Sequence, residues 1–471
     1  MTTPLHDLAA TELVERYRRR DLSPVDATRA VLARIDAWEP HLHATYALDG
    51  DAALAAARAS EARWQKGAPL GPIDGVPSMI KENIATRGTP TPLGTAATLL
   101  APAASDAPPA ARMRESGAVI LGKTTMPDYG MLSSGLSSFH ATARNPWDLS
   151  KGPGGSSAGA GAGVAAGYGP LHVGTDIGGS VRLPAGWCGI FTLKPSLGRI
   201  PIDPPYAGRV AGPMTRSVAD AALLMQVLAQ PDERDTMSLP AQAIDWSRLD
   251  RDVRGLRLGL VTGAAGLPVD PEIAAAVRAA AERFAAAGAE VDEVAPFLSR
   301  AMLDGMDRFW RMRSWLDYSA LPSERQARVL PFIVDWLKGG EGLSGEEVFR
   351  GYSQMAAMRD AAITAHRPFD FVLSPTSPIP AFRAELASPT DDPMRPLEHI
   401  GFTVAYNMSE QPAASINCGW TGSGLPIGLQ IAGKRHDDLG VLQVARAWET
   451  MRPAQRAWPE PPARARAAAA G

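Results

Sequence analysis

The 471-residue chain is predicted to fold as an α/β protein, a largely parallel central sheet covered by helices on both faces. Three observations predict it. Short apolar runs alternate with helical stretches, most regularly beyond Arg216, and such alternation implies strands joined by crossover helices. The N-terminal part reads helical and alanine-rich, which supplies one cover for a sheet. The middle of the chain, from Gly152 to Thr175, is uncharged and mostly glycine, alanine and serine, a composition suited to a closely packed interior helix.

In chain order, Leu13, Val14 and Tyr17 recur at helical spacing, and Ser23 followed by Pro24 places a cap and then proline where a second helix begins, running to Trp38. A third helix is expected over residues 51–66. The apolar run Ile73 to Ile80 reads as a strand, so Lys81 stands at a strand end. A helix after Ala107 leads to a strand from Ala118 to Leu121. Beyond Arg216 the pattern predicts a helix to Leu228, a strand over 256–261, a helix over 271–287 and a strand over 290–294. Residues 302–338 interrupt the rhythm with Phe309, Trp310, Trp315, Tyr318, Phe332 and Trp336, and core packing is the favoured role for these aromatics. A strand is expected again at 371–374. Residues 1–451 are read as one domain whose first 66 residues are helical, and the Ala/Arg/Pro-rich tail 452–471 as loosely ordered.

Composition excludes several functions. A net charge of −3 with scattered basic residues gives no footprint for nucleic acid or an anionic membrane. The GxxxG spacings after Gly152 do not make a membrane helix, because the segment lacks Leu, Ile and Phe and contains Pro153 and Pro170. Cys188 and Cys418 cannot build a disulfide framework and are read as small buried hydrophobes, the N-terminus lacks an apolar signal core, and a cytoplasmic location is expected. No clustered His/Cys spacing supports a metal, and no cofactor is expected.

The chemistry is concentrated on two serines. Ser156 lies in Gly154-Gly155-Ser156-Ser157 and Ser180 in Asp176-Ile177-Gly178-Gly179-Ser180. Paired glycines let the backbone approach a ligand, and unobstructed amides before a serine suit an oxyanion hole. Two motif matches are decoys. Gly117 to Thr124 fits the phosphate-loop pattern, but an apolar strand run lies inside it. Gly155 to Gly159 fits GxSxG, but no apolar strand precedes it, and His366, His399 and His436 have no supporting motif, so a Ser-His-Asp esterase ranks as an alternative only.

With GGSSxG, TDxGGSxRxPA and an upstream lysine in order, the chain resembles the amidase signature family of serine hydrolases from about Ser23 to Glu449. The resemblance implies the amidase signature fold, a mixed, largely parallel sheet with closing strands at 371–374, 411–418 and 425–432, and hydrolysis of a small carboxamide. It further implies Ser180 as nucleophile, Ser156 on a cis peptide as bridge and an unprotonated Lys81 as base. Amides from Ile177 through Gly178 and Gly179 to Ser180 would hold the oxyanion, with Asp176 and Arg182 as a structural ion pair. Glutamine-using amidotransferase subunits of the family carry a polar MGSSTEN-like run where this chain has Met131-Leu132-Ser133-Ser134-Gly135-Leu136. Met131 and Leu132 are therefore expected at an apolar pocket wall, and a stand-alone amidase preferring apolar or aromatic groups is favoured over an amidotransferase component. Thr192 replaces a glycine of the family pattern. The partner expected is a small amide, with a homodimer left open.

Overall fold

Eleven strands, joined in one sheet, carry the chain in the computed structural model, which describes residues 3–462. In sequence they are β1 (Thr45–Tyr46), β2 (Pro77–Lys81), β3 (Val119–Thr124), β4 (Leu171–Asp176), β5 (Phe191–Lys194), β6 (Val210–Thr215), β7 (Arg257–Leu260), β8 (Glu290–Glu293), β9 (Phe371–Pro375), β10 (Ala413–Trp420) and β11 (Pro426–Gly433). Their order across the sheet is β1-β3-β2-β4-β6-β5-β10-β11-β9-β7-β8. The sheet is mixed, as expected, but its parallel pairing is confined to two groups, β3-β2-β4 and β9-β7-β8. The strands between them run antiparallel. Strands β2, β4, β6 and β11 are buried along their whole length, with Lys81, His172, Asp176 and Gln430 buried among mostly apolar or small side chains.

The N-terminal helices are Ala10–Arg19, Pro24–Leu42 and Gly50–Gln65. Ser23 caps the second by accepting from the Val25 amide at 3.0 Å, with Pro24 at the first position. That helix runs past Trp38 because Leu42, one turn on, buries on the same face. The predicted strand at 73–80 is shorter and later, and Lys81 is its last residue.

The small-residue helix spans Ala158–Ala166 and is wholly buried. Its glycines are dictated by contact: a Cβ on Gly159 would lie 2.1 Å from the Ala44 carbonyl oxygen, and one on Gly161 would lie 2.7 Å from Pro184 Cβ. This close approach brings the Ser156 turn against the Ser180 turn, where the Ser157 amide donates to the Ser180 carbonyl at 3.1 Å. The phosphate-loop decoy resolves as expected from its apolar run, with Val119–Thr124 forming β3.

Helices Arg300–Ser319, Pro331–Leu337 and Gly345–His366 build a second apolar core around Met306, Trp310, Ile333, Trp336 and Met358. Tail residues 453–462, expected to be loosely ordered, carry no regular element yet lie against the body. Trp458 sits 4.3 Å beneath the Arg216 guanidinium, and Arg34 meets Glu460 at 2.5 Å. Residues 463–471 of that tail lie outside the described residues.

Candidate active site

Lys81, Ser156 and Ser180 come together from three places in the chain. Lys81 ends β2, which pairs in parallel with β4, so its side chain emerges beside Thr175 near the end of that strand. Ser156 stands in the turn entering the Ala158–Ala166 helix, on a cis Gly155–Ser156 peptide, and Ser180 stands in the turn after β4. Lys81 Nζ donates to Ser156 Oγ at 2.8 Å and to Thr175 Oγ1 at 3.1 Å. Asn83 Nδ2 also donates to Thr175 Oγ1, at 3.0 Å. No hydrogen bond joins Ser156 Oγ to Ser180 Oγ, although both residues line one cavity.

The Lys81 ammonium is fully buried, and burial, aided by repulsion from Arg209, pushes its pKa down to about 7 against the opposing pull of Asp176 and Glu82. An amine so placed is free base over much of the neutral range. It can then accept a proton from the hydroxyl to which it otherwise donates.

The turn carrying Ser180 is held by a buried ionic network. Arg182 and Asp176, both wholly buried, meet through Nη2–Oδ1 at 2.9 Å and Nε–Oδ2 at 3.0 Å. Arg182 also donates to the Thr403 carbonyl, Gln430 Oε1 and Asn407 Oδ1 at 2.8, 2.9 and 2.6 Å. Burial alone would raise the Asp176 carboxyl, but Arg182 and Asn407 hold it well below the usual carboxylate range. The carboxylate accepts the Gly179 amide at 2.9 Å and the Val181 amide at 3.1 Å. This corrects one expectation: the Gly179 N–H is committed to Asp176, so the amides of Ile177, Gly178 and Ser180 remain for an oxyanion. Thr403 Oγ1 donates to the Gly178 carbonyl at 2.6 Å and fixes that peptide's orientation. Gly179 has φ of +129° and a Cβ there would lie 2.6 Å from Thr403 Oγ1, which only glycine avoids.

The cavity over these groups measures about 450 Å³ and is lined by Asn83, Ser156, Thr175, Ile177 and Ser180, by Tyr129 and Met131, and by Tyr206, Arg209, Arg313 and Asp317. A narrow recess of about 30 Å³ beside it is lined by Met131, Leu132, Ile177, Trp310 and Ile400, together with Ser180 and Arg313, which it shares with the cavity. Met131 and Leu132 thus reach the pocket wall. Leu136 lines neither space and packs against the second apolar core. The aromatic segment is mainly core, as favoured, with Trp310 alone among its aromatics on the recess.

Among the described residues, no histidine lines either space. His366 Nε2 lies 3.1 Å from the Tyr406 hydroxyl, and His399 stacks on Trp187. Both cysteines are buried and free. Thr192 accommodates its extra atoms in β5 by donating to the Pro213 carbonyl at 2.6 Å. Sequence reasoning missed Thr403, Asn407 and Gln430, which act across the fold, and the charged residues Arg209, Arg313 and Asp317, while Thr175 entered only as the first residue of TDxGGSxRxPA, without a role.

A family profile described as Amidase matches residues 26–442. The chain is 36% identical to a glutamyl-tRNA(Gln) amidotransferase component from Myxococcus xanthus, over 94% of this chain and 97% of the relative. It is 33% identical to an acylamidase of Rhodococcus erythropolis, over 95% and 96% of the two chains. Among solved structures, a bacterial aryl acylamidase of the amidase signature enzymes superposes with a TM-score of 0.89 at 30% identity, covering 96% of this chain and 98% of that one. The peptide amidase of Stenotrophomonas maltophilia superposes at 0.82 with 26% identity, over 97% and 99%.

Proposed function

The chain belongs to the amidase family, and from that premise we propose that it hydrolyses a small carboxamide to the acid and ammonia or an amine through an acyl-enzyme on Ser180. One observation carries the reading: the buried, readily deprotonated Lys81 amine lies 2.8 Å from Ser156 Oγ, on the cavity that Ser180 also lines. Neutral Lys81 takes the Ser156 proton as Ser156 takes that of Ser180, and Ser180 Oγ attacks the carbonyl carbon. The amides of Ile177, Gly178 and Ser180 hold the oxyanion. The proton returns along the same chain to the leaving nitrogen, and water then repeats the sequence to release the acid. Tyr129 and Met131 on the 450 Å³ cavity support an apolar or aryl group beside the scissile bond, and the recess by Leu132 and Trp310 has room only for a small apolar substituent.

Trapping tests the nucleophile. A fluorophosphonate should add covalently to Ser180, as read by peptide mass spectrometry, and Ser180→Ala should be unlabelled with its fold intact. Labelling of Ser156 or a cysteine in its place would refute the assignment. The 36% identity to an amidotransferase component favours a second reading, glutamine hydrolysis on behalf of a partner. Ammonia release from glutamine faster than from an anilide, or only with an added partner protein, would select it.

A further inference from the structure

Two arginines of the cavity have no carboxylate partner among the described residues. Arg209, on the loop entering β6, donates through Nη1 to the Pro204 carbonyl at 2.9 Å. Arg313, on the Arg300–Ser319 helix, holds its guanidinium 4.8 Å from the Tyr206 ring centre, and its Nη2 lies 3.6 Å from Met131 Sδ. The contrast with the buried arginines of the scaffold is plain: Arg182, Arg199 and Arg311 each meet an aspartate at 3.0 Å or less. Burial and the neighbouring Arg313 charge work against the Arg209 cation, opposed only at longer range by Asp203 and Asp235, neither of which pairs with it. Asp317 lines the same cavity, but it is exposed and pairs with neither arginine. Two like charges facing a space this size are costly unless an anion enters between them.

We propose that the substrate is an amide bearing a carboxylate, gripped by Arg209 and Arg313, with its apolar or aryl portion inside the same 450 Å³ cavity against Tyr129 and Met131. Guanidinium forks match the two oxygens of a carboxylate, and the Tyr206 ring pre-orients one of them. This inference rests on the amide-hydrolase reading and adds its substrate class.

The test separates charge from shape. The 2-, 3- and 4-acetamidobenzoates are paired with the matching nitroacetanilides, whose nitro group copies the carboxylate's outline without its charge. Dissociation constants are measured by calorimetry on full-length Ser180→Ala, so that nothing turns over. At least one acid should bind about tenfold or more tightly than its nitro twin, the advantage of a charge-assisted pair. That advantage should shrink in Arg209→Gln and in Arg313→Gln, and with added salt. Equal or weaker binding of all three acids overturns the proposal, as does an advantage that survives both substitutions. Nitroaniline release by the wild-type protein reports separately on hydrolysis: release without a charge preference removes the anion site and keeps the amidase, and a charge preference without release does the reverse.

Discussion

Lys81 and Lys123 stand on adjacent parallel strands, where Ile80 pairs with Lys123 and Lys81 with Thr124. Residues in register share a face of the sheet, so the two lysines point to opposite faces. Burial drives both to a pKa of about 7. Their partners differ. Lys123 Nζ donates to the Ile84 carbonyl and to Thr86 Oγ1, groups tied to a local loop. Lys81 Nζ meets two hydroxyls, one of them on a serine that lines a cavity. Lys194, also lowered to about 7, donates to the Pro195 carbonyl and lines no substrate space. A lowered pKa therefore marks burial. It becomes a candidate for catalysis where the amine contacts a group that can pass a proton onward.

The largest expected effect breaks this contrast on the Lys81 side. Lys81→Met keeps length and apolar stem and removes the base, so amide turnover should fall by about 10³-fold, within the range of general-base losses. Wild-type turnover should rise with pH through about 7 as Lys81 loses its proton. Residual turnover in the variant should show no such limb. A wild-type-like limb in Lys81→Met would assign the proton transfer to another group.

On the Lys123 side the expected change is in stability rather than rate. The unfolded chain holds a lysine proton up to about pH 10.4, whereas folded Lys123 releases it near 7. Between those values the unfolded state binds more protons, so stability rises with pH. Lys123→Met should lower that slope by up to about one proton, measured by urea unfolding at several pH values, while the activity limb stays in place. An unchanged slope would mean that Lys123 keeps its charge when buried.

The same contrast explains what could be read from residues alone. Lys81 was legible because an apolar run ends on it, and the Ser156 and Ser180 loops because their glycines are spaced for close approach. Lys123 lies inside the pattern that first suggested a phosphate loop, and only the strand through it decided otherwise. Strands β4 and β6 gave no sequence signal because their mixed small and polar residues carry neither sustained alternation nor a long apolar run, and β5 alternates apolar and polar over only four residues, Phe191 to Lys194. The antiparallel run β6-β5-β10-β11 between the two parallel groups is why the sheet is less parallel than its βα rhythm implied. The groups that fix the Ser180 turn were hidden for another reason: Thr403, Asn407 and Gln430 lie more than 200 residues from it and meet it only through the fold. Arg209 has no local signal at all.

Arg209 also supplies the finest test of the comparison, because it acts on Lys81 and is absent from the influences on Lys123. Its positive charge comes second to burial in lowering the Lys81 pKa, against Asp176 and Glu82, which raise it. Arg209→Gln removes the charge and keeps most of the volume. The Lys81 ammonium then becomes less unfavourable, its pKa rises, and a smaller fraction is free base at a given neutral pH. The acidic limb of kcat for a neutral anilide should therefore move to higher pH. Reading kcat at saturating substrate keeps weaker binding from masquerading as a titration shift. In Lys123→Met the limb should not move. A displacement to lower pH in Arg209→Gln would show that this arginine favours the charged amine, and the electrostatic account of Lys81 would have to be rebuilt.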